Sequence, residues 1–487
     1  MPSGWAFVDS IASSPTVRLD LNSQAGGLML AADPDLSPPK VRRVLASSMM
    51  ADGDRIPAAA YENRVLRLSL RVLSATNDLA ADKLQALARE LVRRPLPGSS
   101  ETGNIIRATI ATNAMFFKTY PAPDAAYEMV MKTPNRGLIT LEIPCEPFGY
   151  GLLETLSPAT VTANPAAGSN GMFFDITSPK GDVETPLEIR FTNGSGGLGA
   201  TGRIRSALSV RRRGTVANTP LFLQAEAMTV GTDTTTQANS ASFSGSSNNW
   251  TRTTPGTTAM STRLSTTTRF PGTASVDARG VYRVFGRFRL SVISDLWDVR
   301  LNYGSTNVQI TGDTVRVPTP SNVANIFYVD LGVLQIPVGF DPVTDSTGVE
   351  LAAEGLFLQL QAQRVSGSGS LDTDVLLFVP ADDRSEYIKW PTVQNFSTDV
   401  FVATGGPRPS AFCLNTSGQL SPVESIEIAG GGLMISPGRT NRVFFIRDIG
   451  TGTSTTASGS GDSVTATNIL TARYHPRYLF PLKPATT

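Results

Sequence analysis

Residues 64 to 73 read Arg64-Val65-Leu66-Arg67-Leu68-Ser69-Leu70-Arg71-Val72-Leu73, and this stretch decides the fold. Leu66, Leu68, Leu70 and Val72 fall on one side of an extended chain, with Arg67, Ser69 and Arg71 on the other. Successive side chains of a strand point to opposite faces, so the pattern describes a sheet with one face buried. A short helix follows. Asn77 or Asp78 is placed to cap it, and Leu84, Leu87 and Leu91 recur at helical spacing. Pro95 and Pro97 stop it, because proline lacks the N–H a helix needs. Strands then return over Ile106 to Ala111, Tyr127 to Lys132 and Leu138 to Ile143, the last after a turn at Asn135-Arg136-Gly137. One helix inside a β run predicts a compact β module that docks onto something else.

The whole chain has 487 residues, enough for about three domains. Hydrophobic residues make up 40% and charged residues 17%, so several cores are covered by a surface of Ser, Thr, Asn and Gly. With 43 Gly and 33 Pro and few long amphipathic helices, tight turns dominate, as in sandwiches and barrels. A net charge of +1 gives no field to hold nucleic-acid phosphates. No apolar run reaches the ~18 residues of a membrane span. Met1 to Ser10 lack a basic segment followed by an apolar core, so no export signal is expected. Cys145 and Cys413 match no metal-site spacing; a disulfide between them stays open, with two reduced buried thiols the favoured reading. His475 is the single histidine, so Ser-His-Asp, Cys-His and His-rich zinc chemistry would all need this one side chain. It lies in Tyr474-His475-Pro476-Arg477-Tyr478 and reads as a structural or surface residue. No catalytic residue, cofactor or metal is expected, and the chain reads as no enzyme.

Further strands are expected along the chain. Val17, Leu19 and Leu21 alternate with Arg18 and Asp20, and Asp52-Gly53-Asp54 makes a turn. Phe173 to Ile176, Leu187 to Phe191 and Arg203 to Val210 are strands of a second region. From Pro220 the composition changes to a Ser/Thr/Asn/Gly tract, followed by strands at Val281 to Leu290, Phe327 to Leu331, Leu356 to Leu360 and Val375 to Val379. That spacing suits a jelly roll. After Pro391, Asp399 to Val402, Ser425 to Ile428, Arg442 to Ile446 and Ile469 to Tyr474 return to the earlier style. The second region has too few strands to cover its own faces, so it is expected to share a sandwich with the last. The expected domains are 1–151, a β-barrel-like module with one helix; 152–219 plus 391–487, a discontinuous β-sandwich, galectin-like or similar; and 220–390, an inserted jelly roll. The fold class is mainly β.

The strand beginning Tyr61-Glu62-Asn63-Arg64, the Leu-rich helix and the closing Glu146-Pro147-Phe148-Gly149-Tyr150-Gly151 resemble the N-terminal domain of distal tail proteins. These are minor tail proteins of long-tailed, non-contractile bacteriophages. The resemblance covers about the first third of the chain. It implies a virion protein, assembled in the host cytoplasm, whose first module forms a homo-oligomeric ring of six copies at the end of the tail tube. Implied partners are the tail tube protein, the tape measure protein, and a baseplate hub or tail fibre protein. The middle region resembles non-catalytic carbohydrate-binding jelly rolls at Gln224-Ala225-Glu226, Gly280-Val281-Tyr282-Arg283-Val284, Asp330-Leu331-Gly332 and Leu376-Leu377-Phe378-Val379-Pro380. That likeness implies contact with a host cell-wall glycan, and gives Glu226 a place beside a structural calcium, which one carboxylate alone cannot hold.

Several further motifs suggest chemistry but have plainer readings. Gly197-Leu198-Gly199-Ala200-Thr201-Gly202 matches a dinucleotide fingerprint literally, and Ile204, Ala207 and Leu208 would also fit a short helix after it. No neighbouring βαβ units exist to complete that fold, so a Gly-rich hairpin loop is expected. Asp382-Asp383 with Glu386, or Asp341 with Asp345, are carboxylates that a glycan-degrading tail enzyme would need, yet adjacent loop acids are usually solvated. A bacterial surface lectin is a further alternative, and it requires an export signal or anchor. Trp250 and Asn249 are candidate glycan contacts, since flat rings beside amides suit sugar faces. Trp297, flanked by Leu296 and Val299, reads as core. Arg203, Arg205 and Arg211 alternate onto one strand face and are a candidate subunit interface.

Overall fold

The computed structural model describes residues 4–32, 34–46, 55–93, 104–110, 113–121, 127–133, 136–156, 159–162, 173–193, 203–211, 222–238, 249–254, 259–268, 270, 280–304, 309–319, 326–336, 356–381, 386–389, 400–406, 409–414, 420–421, 427–430, 433–448 and 467–479. These residues are mainly β, with one α-helix among them. The chain divides into two compact units. The first holds Met1–Glu154, Lys180–Thr185 and Tyr474–Thr487, and the second Thr155–Pro179 and Pro186–Arg473.

The first unit is built on a ten-stranded, barrel-like sheet. Its path runs Val17–Asp20, Gly4–Val8, Asn104–Ile110, Asn113–Thr119, Arg136–Cys145, Arg64–Leu73 and Leu28–Leu30. Tyr127–Thr133 pairs beside Arg136–Cys145, and Gly149–Tyr150 pairs beside Asn113–Thr119. The alternation expected of residues 64–73 is present. Leu66, Leu68, Leu70 and Val72 are fully buried, opposite Ile143, Leu141, Ile139 and Gly137.

The helix α1 (Asn77–Val92) lays Ala80, Leu87 and Leu91 into the same core, with Leu84 at its margin. Sixteen residues make a helix that is marginal in water, so this packing holds it. Each leucine so buried contributes roughly 1.5–3 kcal/mol. Its N-cap is Thr76, whose hydroxyl accepts from the Leu79 N–H at 3.3 Å, one position before the Asn77 or Asp78 that the sequence suggested. The expected stops, Pro95 and Pro97, lie outside the described residues. What closes the described end is Asn104. Its Nδ2 donates to the carbonyls of Glu90 and Arg93, both at 2.8 Å.

Strands 4–8, 104–110 and 113–119 are buried on both sides. Trp5, Phe7, Ile106, Ala108 and Phe117 face the main core, while Ala6, Val8, Ile105 and Phe116 form a second cluster with Tyr150. Val41–Ala46 and Arg55–Tyr61 pair with each other as a separate two-stranded ribbon. The expected turns at Asp52–Asp54 and near Asn135 lie wholly or partly outside the described residues.

In the second unit, one sheet runs Thr467–Tyr474, Glu188–Asn193, Val400–Thr404, Ser410–Leu414 and Leu420–Ser421. A five-stranded sheet runs Phe173–Ile176, Asn441–Asp448, Arg203–Arg211, Glu386–Lys389 and Glu427–Gly430. Both therefore combine early and late chain. Glu386–Lys389 joins this sheet ahead of residue 390, where the sequence reading placed the return.

Residues 222–380 supply two six-stranded sheets. One carries Thr234–Ala238, Asn249–Thr253, Leu371–Pro380, Gly280–Leu290 and Ile326–Ile336. The other carries Thr229–Val230, Ser261–Ser265, Phe357–Ser366, Leu296–Gly304 and Gln309–Ile310. Between them lies a core of Val284, Phe288, Leu290, Leu376 and Phe378 against Trp297, Val299, Leu301 and Leu360.

Candidate assembly surface

The closing signature of the first module is the most heavily constrained part of its surface. Gly149–Tyr150 pairs with Arg477–Tyr478, near the chain end. The Gly151 N–H donates to the Pro476 carbonyl at 2.8 Å, and His475 Nδ1 lies 3.1 Å from the Gly151 carbonyl. The lone histidine is therefore half-buried and holds backbone, in line with its structural reading. The Arg477 guanidinium sits over the rings of Phe148 and Tyr150, 5.2 and 5.8 Å from their centroids. Lys118 covers Tyr150 at 4.5 Å, and the Tyr150 hydroxyl donates to Glu146. Burial and the Glu146 carboxylate push the Tyr150 phenol well above its ordinary range. Phe148 also meets Tyr61 edge-on, at 5.2 Å between centroids. The signature's Gly149 is explained by contact: a Cβ there would overlap the Met115 sulfur.

Two nearby segments complete this junction. Asp182 accepts the Leu479 N–H at 3.0 Å and gives its own N–H to the Arg477 carbonyl at 2.8 Å. Gly181, at φ +121°, brings its backbone against Arg477 where any side chain would be strained. Arg64 reaches the Leu479 carbonyl from beneath, at 2.7 Å, with its guanidinium 5.6 Å from the Phe117 ring centroid.

The outer face of the barrel-like sheet is partly apolar. Val65, opposite Pro144, is 46% exposed, and Leu138 and Val130 form an exposed cross-strand pair at 39% and 51%. The Arg67–Glu142 ion pair, at 2.9 Å, lies between them. The ribbon adds exposed Val41 and Tyr61, and a cavity of about 440 Å³ at its base is lined by Arg42, Ala60, Tyr61, Glu62 and Asn63. Two-stranded ribbons are marginal alone, and exposed strand edges invite pairing.

Among the candidate residues, Arg203, Arg205 and Arg211 share one strand, and their side chains lie outside what is described. Pairing slips between Arg205 and Ala207, so the strict alternation that would align Arg211 with the other two is interrupted. Trp250 and Asn249 lie in the Asn249–Thr253 strand, opposite Gln237 and Ala238, and their side chains are likewise outside. Thr251 and Thr253 of that strand are buried. Trp297 is fully buried, as its core reading expected. The Gly197–Gly202 run lies outside the described residues. It leads into the Arg203–Arg211 strand, so the helix a pyrophosphate site requires does not open there. Asp341, Asp345, Asp382 and Asp383 also lie outside, as does the Glu386 side chain.

Cys145 is a buried free thiol, pushed up to about 12 by burial. The Cys413 side chain lies outside the described residues. No group of three or more His, Cys, Asp or Glu that could hold a metal occurs among the described residues, and no described helix is long and apolar enough to cross a membrane. Glu226 is half-buried, its pKa is raised by that burial, and its Oε2 is buried without a hydrogen-bond partner.

Sequence reasoning missed a polar network in the jelly roll. Asp372, almost fully buried, accepts from Arg252 at 2.7 and 3.0 Å and from Arg289 at 3.0 and 2.6 Å. Arg287 and Asp374 form an ion pair with both side chains fully buried.

No family model and no curated protein matches the sequence. Among solved structures, the chain is similar to SPP1 Dit (gp 19.1) protein, described as a paradigm of the hub adsorption apparatus in Gram-positive-infecting phages. That match has a TM-score of 0.26 and 10% identity over 77% of this chain and 98% of that chain. The phage P2 baseplate in its activated conformation with calcium gives 0.22 and 9% over 77% and 98%. A subviral particle of infectious bursal disease virus VP2 gives 0.15 and 9% over 66% and 81%. Scores this low carry no weight for function.

Proposed function

We propose that this chain is a structural, non-catalytic component of a phage tail tip. Its first module forms a ring at the end of the tail tube and connects that tube to a baseplate or tail fibre. The observation that supports this most is the outer face of the barrel-like sheet, where the Leu138–Val130 pair and Val65 are exposed beside a two-stranded ribbon. Cross-strand apolar pairs in water gain by being covered. A ring needs two different surfaces that meet head to tail. Strand edges and apolar sheet faces supply such surfaces without any reacting group.

In this reading the sandwich of residues 152–219 and 391–487 and the inserted module of 220–390 stand outside the ring, and Trp250 and Asn249 meet a host-surface glycan. Arg203, Arg205 and Arg211 face a neighbouring subunit or tail protein.

The test is the mass and shape of the purified full chain, by light scattering after sizing and by negative-stain microscopy. Annular particles several times the mass of one chain are expected. A monomer at all concentrations up to those of a phage-producing cell would end the proposal. Removing Leu221 to Ala381, which keeps the Glu386–Lys389 strand of the sandwich, is expected to leave the annulus and change only attachment to cells.

A further inference from the structure

We propose that the surface formed by Phe148, Gly149 and Tyr150 is a peptide-binding site, occupied in cis by residues 474–479, and that this docking makes the first module competent to assemble. The proposal rests on the ring-forming reading for its second half only.

Four features describe a ligand in a site. The segment adds a two-residue strand to an existing edge, the geometry of peptide capture by β-augmentation. It places one cation, Arg477, over two aromatic faces. Its backbone is read at Leu479, by Asp182 on the N–H and Arg64 on the carbonyl, and at Pro476, whose carbonyl accepts the Gly151 N–H. The receiving surface is shaped for close backbone approach at Gly151, whose Cβ would press on Tyr478, and at Gly181. None of these contacts is a long ladder, so each is exchangeable.

Position in the chain supplies the assembly consequence. Arg64 belongs to a central strand of the main core, yet the hydrogen bond of its buried guanidinium, from Nη2, goes to the carbonyl of a residue 415 positions later, while Nε and Nη1 are buried without a partner. A chain cut short in synthesis leaves that buried cation without this acceptor and leaves the Gly149–Tyr150 edge open.

The experiment removes His475 to Thr487 from the full chain and returns a synthetic peptide of residues 474–487. A tethered segment has an effective concentration of about millimolar, so the peptide is supplied at that level. The truncated chain is expected to melt at least about 5 °C lower and to lose annular particles, and the peptide is expected to restore both. Truncation that changes neither property, or a peptide that restores neither, overturns the proposal. If the truncated chain is insoluble, full-length Arg477→Glu replaces it; this variant should speed protease cleavage near the chain end about tenfold while spectra of the folded core are kept. Unchanged cleavage overturns the proposal in that arm. If the intact chain never forms annuli, the ring reading fails, while peptide-dependent melting still decides whether the site exists.

Discussion

The Arg64 guanidinium donates a 2.7 Å hydrogen bond to the Leu479 carbonyl, so a central core strand is tied to a residue 415 positions further along. Arg64 is only 4% exposed and lies over Phe117. A buried cation must keep its acceptors, because desolvation is otherwise unrepaid. Arg64→Ala is expected to destabilise the first module by about 2–4 kcal/mol, through the lost charged hydrogen bond and the lost stem. Arg64→Met keeps the stem against the ring and should cost less than half as much. Chemical denaturation followed by the fluorescence of buried Trp5 measures both. Equal losses for the two variants would show that the stem contributes nothing and that the charged hydrogen bond carries the whole effect.

Such a contact is invisible to pattern reading. Period-2 alternation made Leu66 to Val72 legible, because burial on one face of a strand leaves a mark in ten consecutive residues. The two-residue Arg477–Tyr478 strand leaves no periodicity. The capping error at α1 has a different cause. Thr76, Asn77 and Asp78 are all competent caps, and composition does not say where the first helical turn begins. In Leu296–Gly304 the signal existed. Trp297, Val299 and Leu301 alternate inward, which agrees with the core reading of Trp297. The Arg203–Arg211 strand was found, and its register shift was not, since a bulge is decided by the partner strand.

Asn104 offers a sharper test of the helix. Its amide, almost fully buried, donates to two carbonyls at the end of α1, those of Glu90 and Arg93. Terminal carbonyls of a helix have no partner within it. Asn104→Ala strands two acceptors and is expected to cost about 1–3 kcal/mol. Asn104→Asp adds a negative charge at the negative end of the helix dipole and should cost more. Thr76→Ala, at the exposed N-cap, should cost about 1 kcal/mol. Thermal melts of the three variants should follow that order, and a Thr76 variant less stable than Asn104→Asp would refute it.

Leu138 and Val130 test the assembly surface without disturbing the core. They face each other across adjacent strands and point away from the buried side carrying Ile139 and Leu141. Leu138→Glu is expected to change monomer stability by less than about 0.5 kcal/mol, as exposed substitutions do. It should abolish annular particles, because a carboxylate buried against a neighbour is costly. Particles that survive the change would move the ring contact elsewhere on the module.

Cys145 gives a pH signature. Burial raises its thiol from 9.0 to about 12, so below pH 9 the proton is bound in both folded and unfolded chains. Between pH 9 and 12 only the folded chain keeps it, and stability falls as pH rises through that window. In a Cys413→Ser background, native protein at pH 8 should resist iodoacetamide and react only on unfolding, since the thiolate is the nucleophile. Mass spectrometry of the alkylated chain reads the result. Rapid modification of folded protein would show that the thiol is neither buried nor protonated as described.

Arg287 and Asp374 carry the last prediction, on the jelly roll. Both side chains have no exposure, and they pair with each other. Two charges withdrawn from water regain their hydration only through partners, so removing one is worse than removing both. Arg287→Met alone and Asp374→Leu alone are each expected to destabilise the second unit by about 3–5 kcal/mol. The double variant Arg287→Met/Asp374→Leu should lie within about 1–2 kcal/mol of the parent, because apolar side chains of similar volume repack the space. A double-mutant cycle from denaturation midpoints gives the coupling. Single variants that each lose less than about 1 kcal/mol would mean that water reaches the pair, and that the network around Asp372 and Asp374 is a solvated surface instead of an interior one.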